Sequence, residues 1–487
     1  MKQKILFAIL FTAMLFTACK EEILAPDISG IETSDYLLNI GDKITLAPSV
    51  KNLKGNNYEW TLNGKKIADA TTNYTFVATQ PGMFVVIFKA SNKGGAADEA
   101  FKIEVEAPIE ISFDKPIYTT SKSNVLEITP KITGPERNDY KYEWMLYDAV
   151  IGKEKNINFI EVNPGDYELK LTVSAGKQSV TTTTFVKVEE ADYKQSAYTL
   201  LEYYPAPANG LDWSLIGGET MWNRNEFPLA YNDFINKATE IRKGSPANGI
   251  HLGSWGGYAT FEFDHTVVNV KGKTDLEISA KFSQFDLPQV FVAYDKNKNG
   301  KPDEDEWYEI KNHDWGKEDM ANYEITFTYD RVETDEMSLN TYFEWKDNQA
   351  EQQLGEVHYS KRLSSSITNS GDVSTKGFFP GYFMIDKERK EVIKLDGWPS
   401  VITRKGKRIT RDVTGGNSFN QKLNIDIDDA VNEKGESVSL IGINFVRVRK
   451  IVYPFEKNFS VTPQVVEDAN MKEGRILYVG QILDKHI

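Results

Sequence analysis

The segments NNYEWTLNGKKI (residues 56–67) and YKYEWMLYDAVI (residues 140–151) decide the fold of the N-terminal part of this 487-residue chain. Each holds a Tyr-x-Trp pattern and is followed by a Pro-Gly-x-aromatic segment, PGMFVVIFKASN (81–92) or PGDYELKLTVSA (164–175). The tryptophans, Trp60 and Trp144, lie 84 residues apart. In a small β-sandwich such a tryptophan fills the space between the sheets, and the glycine permits a tight turn. The repeat therefore predicts two tandem β-sandwiches.

The two repeated segments resemble PKD-like and bacterial Ig-like modules, over residues 27–107 and 108–190. The resemblance implies that these modules act as spacers between an anchor and a functional domain. Residues 191–204 are predicted to be a linker, and residues 205–487 a larger domain of a different kind.

The larger domain is predicted to be built from short alternating strands with few helices. The strand segments are TFEFDHTVVNV (260–270), DLEISAKF (275–282), QVFVAY (289–294), YEITFTY (323–329), KLNIDI (422–427) and INFVRVRKIVY (443–453). This pattern predicts a jelly-roll-like β-sandwich. Its opening, GGYATFEFDHTVVN (256–269), resembles that of galactose-binding-like and carbohydrate-binding jelly rolls. The expected fold class is all-β throughout.

Cys19 is the only cysteine and directly follows an apolar run from Ile5 to Ala18. With Lys2 and Lys4 before it, that run predicts a signal peptide over residues 1–18. The junction resembles a bacterial lipobox, which implies that Cys19 is lipidated and begins a tether, residues 19–26. Lys-Glu-Glu at 20–22 resembles the export tag of Bacteroidota surface lipoproteins. These features predict a lipid anchor in the outer membrane, facing the cell exterior; an ordinary secretory signal is the alternative.

The balance of charge limits the classes of partner. The chain has 57 basic and 71 acidic residues, a formal charge of −14. Such a field disfavours nucleic acid and anionic membrane surfaces. No nucleic-acid partner is therefore expected.

The segment DKNKNGKPDEDE, residues 295–306, predicts a calcium loop. Its residues match the oxygen-ligand positions of the Asp-x-Asn-x-Asn-Gly pattern, with a backbone carbonyl at Lys301: Asp295, Asn297, Asn299, Lys301, Asp303 and Glu306. Strand-like segments flank the loop, so we expect a solitary structural Ca²⁺ site at a hairpin. The alternative is an Asn-Gly turn with solvated charges.

Aromatic residues near predicted turns are candidates for ligand binding, because flat rings offer apolar area at low entropic cost. The candidates are Trp222, Trp255, Trp315, Phe379, Tyr382 and Trp398. Core packing is the alternative for each. A basic cluster around Gly406, from Arg404 to Arg411, either grips an anion or forms a solvated hairpin tip.

Catalytic signatures are missing from the sequence. The five histidines show no zinc-hydrolase spacing, and no nucleophile elbow, P-loop or dinucleotide fingerprint occurs. His265, beside Asp264 on a predicted strand, is interpreted as structural, since adjacent strand residues face opposite ways. We expect no enzyme, although a through-space carboxylate pair of the glycosidase kind stays open.

The C-terminal half resembles a family of Bacteroidota PKD-like cell-surface lipoproteins, at residues 256–269, 295–310 and 424–448. Members accompany TonB-dependent outer-membrane transporters, and related loci serve corrinoid (vitamin B12) uptake. The resemblance implies a surface lipoprotein that captures a nutrient, a corrinoid or a glycan, for such a transporter. A surface glycoside hydrolase and a structural or adhesive surface protein are the alternatives.

Overall fold

The computed structural model describes most of the chain. The described residues are 22–31, 33–197, 199–204, 229–244, 249–252, 255–282, 288–312, 314–318, 320–335, 338–348, 359–364, 383–386, 391–394, 400–410, 419–453 and 477–487. The chain divides into two compact units. One comprises residues 1–119, 127–157 and 166–187, and the other comprises residues 120–126, 158–165 and 188–487.

The first sandwich is built from nine strands. They are β1 (Asp27–Ser29), β2 (Asp35–Asn39), β3 (Lys43–Leu46), β4 (Ser49–Lys51), β5 (Asn57–Leu62), β6 (Lys65–Asp69), β7 (Tyr74–Val77), β8 (Gly82–Asn92) and β9 (Gly95–Glu106). A five-stranded sheet has the order β2-β9-β8-β5-β6, and the pairs β3-β7 and β1-β4 complete the module. The β2-β9 pairing is parallel.

Trp60 is the centre of this module. It lies on β5 opposite Phe88 of β8, is fully buried, and has ring centroids of Phe88 and Phe101 at 4.7 and 6.1 Å. Its indole N–H donates to the Thr71 carbonyl at 3.1 Å, so the polar edge of the ring is satisfied. Aromatic rings in these tilted and offset arrangements add packing energy beyond their buried area.

The second sandwich repeats this plan. Its strands are β10 (Glu110–Ser112), β11 (Ile117–Ser121), β12 (Leu126–Ile128), β13 (Lys131–Thr133), β14 (Lys141–Leu146), β15 (Ala149–Gly152), β16 (Ile157–Phe159), β17 (Gly165–Ala175) and β18 (Gln178–Glu189). The five-stranded sheet has the order β11-β18-β17-β14-β15. Trp144 occupies the position of Trp60, fully buried, with its indole N–H donating to the Glu154 carbonyl at 3.1 Å. In both modules the strand register shifts directly after the tryptophan.

Within its described residues, the C-terminal domain contains eighteen further strands and one α-helix, α1 (Tyr231–Gly244). The strands are β19 (Thr199–Tyr204), β20 (Leu229–Ala230), β21 (Ile250–His251), β22 (Tyr258–Val268), β23 (Leu276–Phe282), β24 (Gln289–Ala293), β25 (Trp307–Ile310), β26 (Met320–Asp335), β27 (Ser338–Asp347), β28 (Tyr359–Ser364), β29 (Phe383–Asp386), β30 (Glu391–Lys394), β31 (Ser400–Thr410), β32 (Phe419–Ile425), β33 (Ala430–Val431), β34 (Gly442–Arg449), β35 (Val452–Tyr453) and β36 (Tyr478–Asp484). Short 3₁₀ helices span Glu304–Glu306 and Ile427–Asp429 in the same described part of the domain.

A six-stranded sheet, β19-β22-β34-β24-β25-β33, and a four-stranded sheet, β21-β36-β23-β32, share one buried apolar core. Helix α1 adds Phe234 and Ala238, which its helical period places on one face. A five-stranded sheet, β28-β27-β26-β31-β35, and a three-stranded sheet, β20-β30-β29, complete the described strands.

The all-β fold class predicted from the sequence is confirmed. Each of the six strand segments predicted for the C-terminal domain coincides with an observed strand. The segment assigned to a linker, 191–204, ends in β19, which pairs with β22 and buries Leu200 and Tyr203 in the core. This pairing, with a register shift between Leu200 and Glu202, makes residues 199–204 part of the sheet.

Candidate functional site

The outer face of the six-stranded sheet forms the floor of a cavity. Strand alternation sends Ala259, Val446 and Val448 into the core, whereas their neighbours point the opposite way. The strand register aligns these outward residues in two cross-strand rows, Tyr258–Arg449–Gln289 and Thr260–Arg447–Phe291–Glu309. Aromatic, cationic and amide side chains are thus set side by side by backbone pairing.

The walls of the cavity come from loops and from β31. The cavity has a volume of about 590 Å³, within the range of small-molecule sites. Besides the floor, it is lined by residues of four segments: Glu304 and Trp307, Trp315 and Ala321, Lys405 to Lys407, and Val431 to Glu433. All of these residues lie in the C-terminal unit.

Arg447 is fixed in the floor by three contacts. Its Nη2 lies 2.7 Å from Glu202 Oε2, and its Nε donates to Thr260 Oγ1 at 3.0 Å. The guanidinium also lies 4.1 Å from the centroid of the Trp307 ring. Because a planar guanidinium both hydrogen-bonds and stacks, Arg447 holds Trp307 against the sheet.

Lys407 has a comparable role on the opposite wall. Its Nζ lies 2.9 Å from Glu309 Oε2 and 4.0 Å from the centroid of Trp315. The backbone carbonyl of Lys407 accepts the indole N–H of Trp255 at 3.0 Å. The ammonium charge is therefore engaged within the protein.

Lys405 and Arg449 form the cationic edge of the cavity. Arg449 Nη2 donates to the Lys405 carbonyl, and the guanidinium lies where a Cβ on Gly406 would be. Residue 406 must therefore be glycine for Arg449 to keep this position. Lys405 pairs with Glu324 at 2.8 Å, and both side chains are exposed. Exposed pairs of this kind contribute little to stability, so Lys405 can exchange partners at small cost.

Gln289 presents an unsatisfied acceptor in the cavity floor. The residue is 3% exposed, and its Oε1 has no hydrogen-bond partner among the described residues. A buried polar atom without a partner is costly, and such atoms at cavities mark places where a ligand or water completes the bonding.

The predicted calcium loop connects β24 to β25, beside the cavity. Asp295 folds inward, and its carboxylate accepts the N–H groups of Asn299 and Gly300 at 3.0 and 2.8 Å. The side chains of Asn297 and Asn299 converge on Asp303 Oδ2, with Nδ2 atoms at 2.6 and 2.9 Å. Gly300 has a φ of 73°, which permits the sharp turn.

Glu306 closes the loop from beneath. It is 2% exposed, and its two carboxylate oxygens accept the N–H groups of Lys296 and Asp303 at 2.8 and 3.0 Å. Lys301 lies in the turn, where its N–H donates to Asn299 Oδ1 at 2.8 Å. Three carboxylates and two side-chain amides are thus gathered in this loop. The amides turn their Nδ2 atoms toward Asp303, and their oxygens accept the backbone N–H groups of Asn299 and Lys301. In the described part of the chain, no group of three or more His, Cys, Asp or Glu side chains is arranged to hold a metal. In the loop, Asp295, Asp303 and Glu306 instead accept hydrogen bonds from the loop itself.

The structure places two of the six predicted aromatic residues. Trp315 lines the cavity. Trp255 is 2% exposed and packs edge-on against Tyr323 at 4.8 Å, so it supports the wall from the interior. Four candidates, Trp222, Phe379, Tyr382 and Trp398, lie outside the described residues, as does Cys19.

Sequence reasoning missed the floor of the cavity. The floor residues Tyr258, Gln289, Arg447 and Arg449, and Trp307 in the wall, were not predicted as site residues, because each lies within a strand whose sequence shows ordinary alternation. The signal that could have identified them is the occurrence of polar and aromatic residues at the outward positions of neighbouring strands. Of the predicted basic cluster, Lys405 and Lys407 line the cavity.

His265 is buried and lies between two carboxylates. Its Nδ1 is 2.8 Å from Asp264 Oδ1 and its Nε2 is 2.9 Å from Asp484 Oδ2. The Asp264 side chain therefore bends toward the His265 ring, although adjacent residues of a strand point to opposite faces. Burial lowers the pKa of His265, but the two carboxylates outweigh burial and raise it above its usual value. The contacts agree with a structural histidine.

Comparison with known protein families shows that residues 26–92 match the PKD-like domain. No curated protein matches the chain.

Among solved structures, the chain is similar to one titled "Structural basis for Dscam isoform specificity", with 17% identity, a TM-score of 0.23, and coverage of 34% of this chain and 46% of that one. It is also similar to titin domains I67–I69, with 13% identity, a TM-score of 0.29, and coverage of 70% and 98%. Fibronectin(III)-like modules of Clostridium thermocellum CbhA match with 13% identity, a TM-score of 0.20, and coverage of 34% and 95%. The present chain spans about half of the length of the Dscam chain that it matches.

The PKD-like domain suggests a structural or adhesive protein outside the cell. Among the residues that the structure describes, no helix has the length and apolar character needed to cross a membrane.

Proposed function

We propose that this protein is a lipid-anchored, cell-surface binding protein of the outer membrane, which captures a nutrient for a TonB-dependent transporter. The observation that carries the proposal is the cavity on the outer face of the six-stranded sheet, with its aromatic and cationic walls. Sites for small molecules combine such apolar surface with a few polar groups that orient the ligand. In this proposal the two tandem sandwiches serve as spacers.

The proposed ligand is a corrinoid or a glycan, and the cavity is where it binds. Isothermal titration of the purified protein against cobalamin and a glycan panel tests this. Ala321→Trp, which adds an indole at the cavity wall, should abolish the binding of any ligand found. Ala321→Ser is the matched control, because it adds a polar atom but little volume. Binding that survives Ala321→Trp, or no binding to any panel member, would refute the proposal.

The proposed anchor is a lipid on Cys19. Mass spectrometry of the N-terminal peptide should show an acylated cysteine, and protease treatment of intact cells should remove the protein. Cys19→Ser should release it from the membrane fraction, because acyl chains supply the membrane affinity. An unmodified thiol would remove the basis for surface attachment.

The proposed metal is a structural Ca²⁺ in the loop from Asp295 to Glu306. The ion would be held by Asp295, Asn297, Asn299, Asp303, Glu306 and the Lys301 carbonyl, and it would stiffen the hairpin between β24 and β25. Chelation with EDTA should lower the melting temperature, and Asp295→Ala should abolish that response. Asp305→Ala is the control, because this residue lies in the same segment but at no ligand position. A wild-type melt unchanged by EDTA would refute the site.

The adhesive alternative is favoured by the PKD-like domain itself. It would be supported if the protein bound another surface protein with equal affinity in wild-type and Ala321→Trp forms. We propose no enzymatic activity, and turnover of a polysaccharide by the purified protein would overturn that statement.

A further inference from the structure

We propose that the cavity binds an acidic carbohydrate, an oligosaccharide that contains uronic acid, and that Lys405 and Arg449 bind its carboxylate. The inference rests on the proposed function, because it names the ligand class of the same cavity. It is carried by three features of the cavity: a cationic edge, an unsatisfied buried acceptor in the floor, and flat apolar rings.

The cationic edge selects a single negative charge. The cavity is lined by four cationic side chains, Lys405, Lys407, Arg447 and Arg449, and by three carboxylates, Glu304, Glu309 and Glu433, in a chain of net charge −14. Arg447 and Lys407 contact Glu202 and Glu309 and stack on indole rings. Lys405, whose own ion pair is exposed, and Arg449 beside it are placed to bind a ligand anion. A guanidinium and an ammonium suit a carboxylate, whereas the nearby glutamates disfavour a doubly charged phosphate.

The buried acceptor requires a ligand that donates a hydrogen bond. Gln289 Oε1 faces no donor among the described residues, and Gln289 is the cross-strand neighbour of Arg449. A ligand whose carboxylate contacts Arg449 would therefore place an adjacent group near Gln289. In a uronic acid the carboxylate-bearing carbon adjoins C4, whose hydroxyl is free in a residue at the non-reducing end and can donate to this oxygen.

The rings complete the match. Phe291 and Trp315 line the cavity, where they offer flat apolar surfaces. Sugars have an apolar C–H face as well as hydroxyls, and binding proteins commonly pack that face on aromatic rings. A carboxylate, hydroxyl donors and an apolar face occur together in a uronic acid. A neutral sugar lacks the first of these, and a simple aromatic acid lacks the second.

Isothermal titration with trisaccharides tests the inference. Trisaccharides of galacturonate, glucuronate and mannuronate are each measured in three forms: the acid, its methyl ester and the corresponding neutral hexose. We expect at least one acid to bind, and to bind about tenfold or more tightly than its ester, because the ester loses the charge-assisted hydrogen bonds.

Variants connect that preference to the proposed residues. Lys405→Gln and Arg449→Gln should each weaken the acid about tenfold and leave binding of the ester unchanged. Gly406→Ala should do the same without a change of charge, because its Cβ would displace the Arg449 guanidinium. Lys170→Gln removes an exposed, ion-paired lysine in the second sandwich and should have no effect. Circular dichroism of each variant is the test that it is folded.

The outcomes separate the two proposals. Equal affinity for acid, ester and neutral forms, or binding of cobalamin alone, would overturn the uronic-acid inference and leave the proposed binding function standing. Acid-selective binding that none of the three cavity variants weakens would also overturn the inference. If no trisaccharide, no panel glycan and no corrinoid binds, both proposals fail.

Discussion

Replacing Trp60 by alanine should destabilise the first sandwich and leave the second unaffected. Trp60 is fully buried and contacts Phe88, Phe101 and Tyr74, with ring centroids between 4.7 and 6.1 Å. Truncating a buried tryptophan costs about 3–5 kcal/mol. A module of this size has a total stability of about 4–12 kcal/mol, at roughly 0.05–0.15 kcal/mol per residue. The substitution therefore removes a large part of the stability of the module.

Hydrogen exchange measured by mass spectrometry gives the appropriate assay, because it resolves each module in the intact chain. Peptides from β8 (Gly82–Asn92) and β9 (Gly95–Glu106) should lose protection by about a hundredfold to a few thousandfold, at 1.4 kcal/mol per factor of ten. Peptides from β17 (Gly165–Ala175) and β18 (Gln178–Glu189) should exchange as in wild type.

Trp144→Ala provides the matched control, since the same residue type occupies the equivalent place in the second module. It should reverse the pattern and deprotect β17 and β18 alone. Trp60→Phe should have a smaller effect, because it keeps an aromatic ring and loses mainly the hydrogen bond to the Thr71 carbonyl. If either alanine variant deprotected both modules equally, or neither module lost protection, the reasoning that each tryptophan holds its own core would be wrong.

Two further predictions concern the C-terminal domain. Gly300→Ala should lower the free energy of unfolding by about 1–2 kcal/mol, because φ is 73° at this residue, and it should weaken Ca²⁺ binding in a calorimetric titration. Gly272→Ala is the control, since φ is 68° there and the surroundings are equally open. It should lower the free energy of unfolding by a similar amount and leave Ca²⁺ binding intact. The raised pKa of His265 implies stability that is fully present below its unfolded pKa of about 6.5 and is lost as the pH rises through the folded value. Urea unfolding from pH 5 to 9 should therefore show a wild-type advantage over His265→Gln that shrinks as the pH rises, and a constant advantage would contradict this.

The fold of the sandwiches was predictable because its determinants are local and repeated. Trp60 pairs with Phe88 and Trp144 pairs with Leu171, 28 and 27 residues further along the chain. A pattern that recurs within about 30 residues therefore specifies each contact. The calcium-loop pattern was recognisable for the same reason, since the segment from Asp295 to Glu306 is continuous. The cavity floor is different, because its residues come from strands that are far apart in sequence.

Long-range register explains why the cavity was not predicted. Arg449 pairs with Tyr258 on one side and with Gln289 on the other, and only that pairing puts a cation between a ring and an amide. Gly406 is visible in the sequence as a glycine in a basic segment. The need for glycine at this position arises from the Arg449 guanidinium, which is distant in the chain. Sequence periodicity predicts which face a side chain takes, whereas the identity of its cross-strand neighbour requires the sheet order.

The calcium loop and the cavity share one hairpin, and this joins the two candidate sites physically. Glu304 lies within the loop and lines the cavity, and Trp307 begins β25 directly after the loop. Trp307 pairs with Ala293, directly before Tyr294 and the loop, so the two ends of the loop are held at a fixed separation by the strand pairing. Strand pairing thus fixes Trp307, and Glu304 is the residue that belongs to both the loop and the cavity wall. If a ligand contacts Glu304, that contact and the arrangement of the loop must favour each other equally, because coupling between two sites is reciprocal.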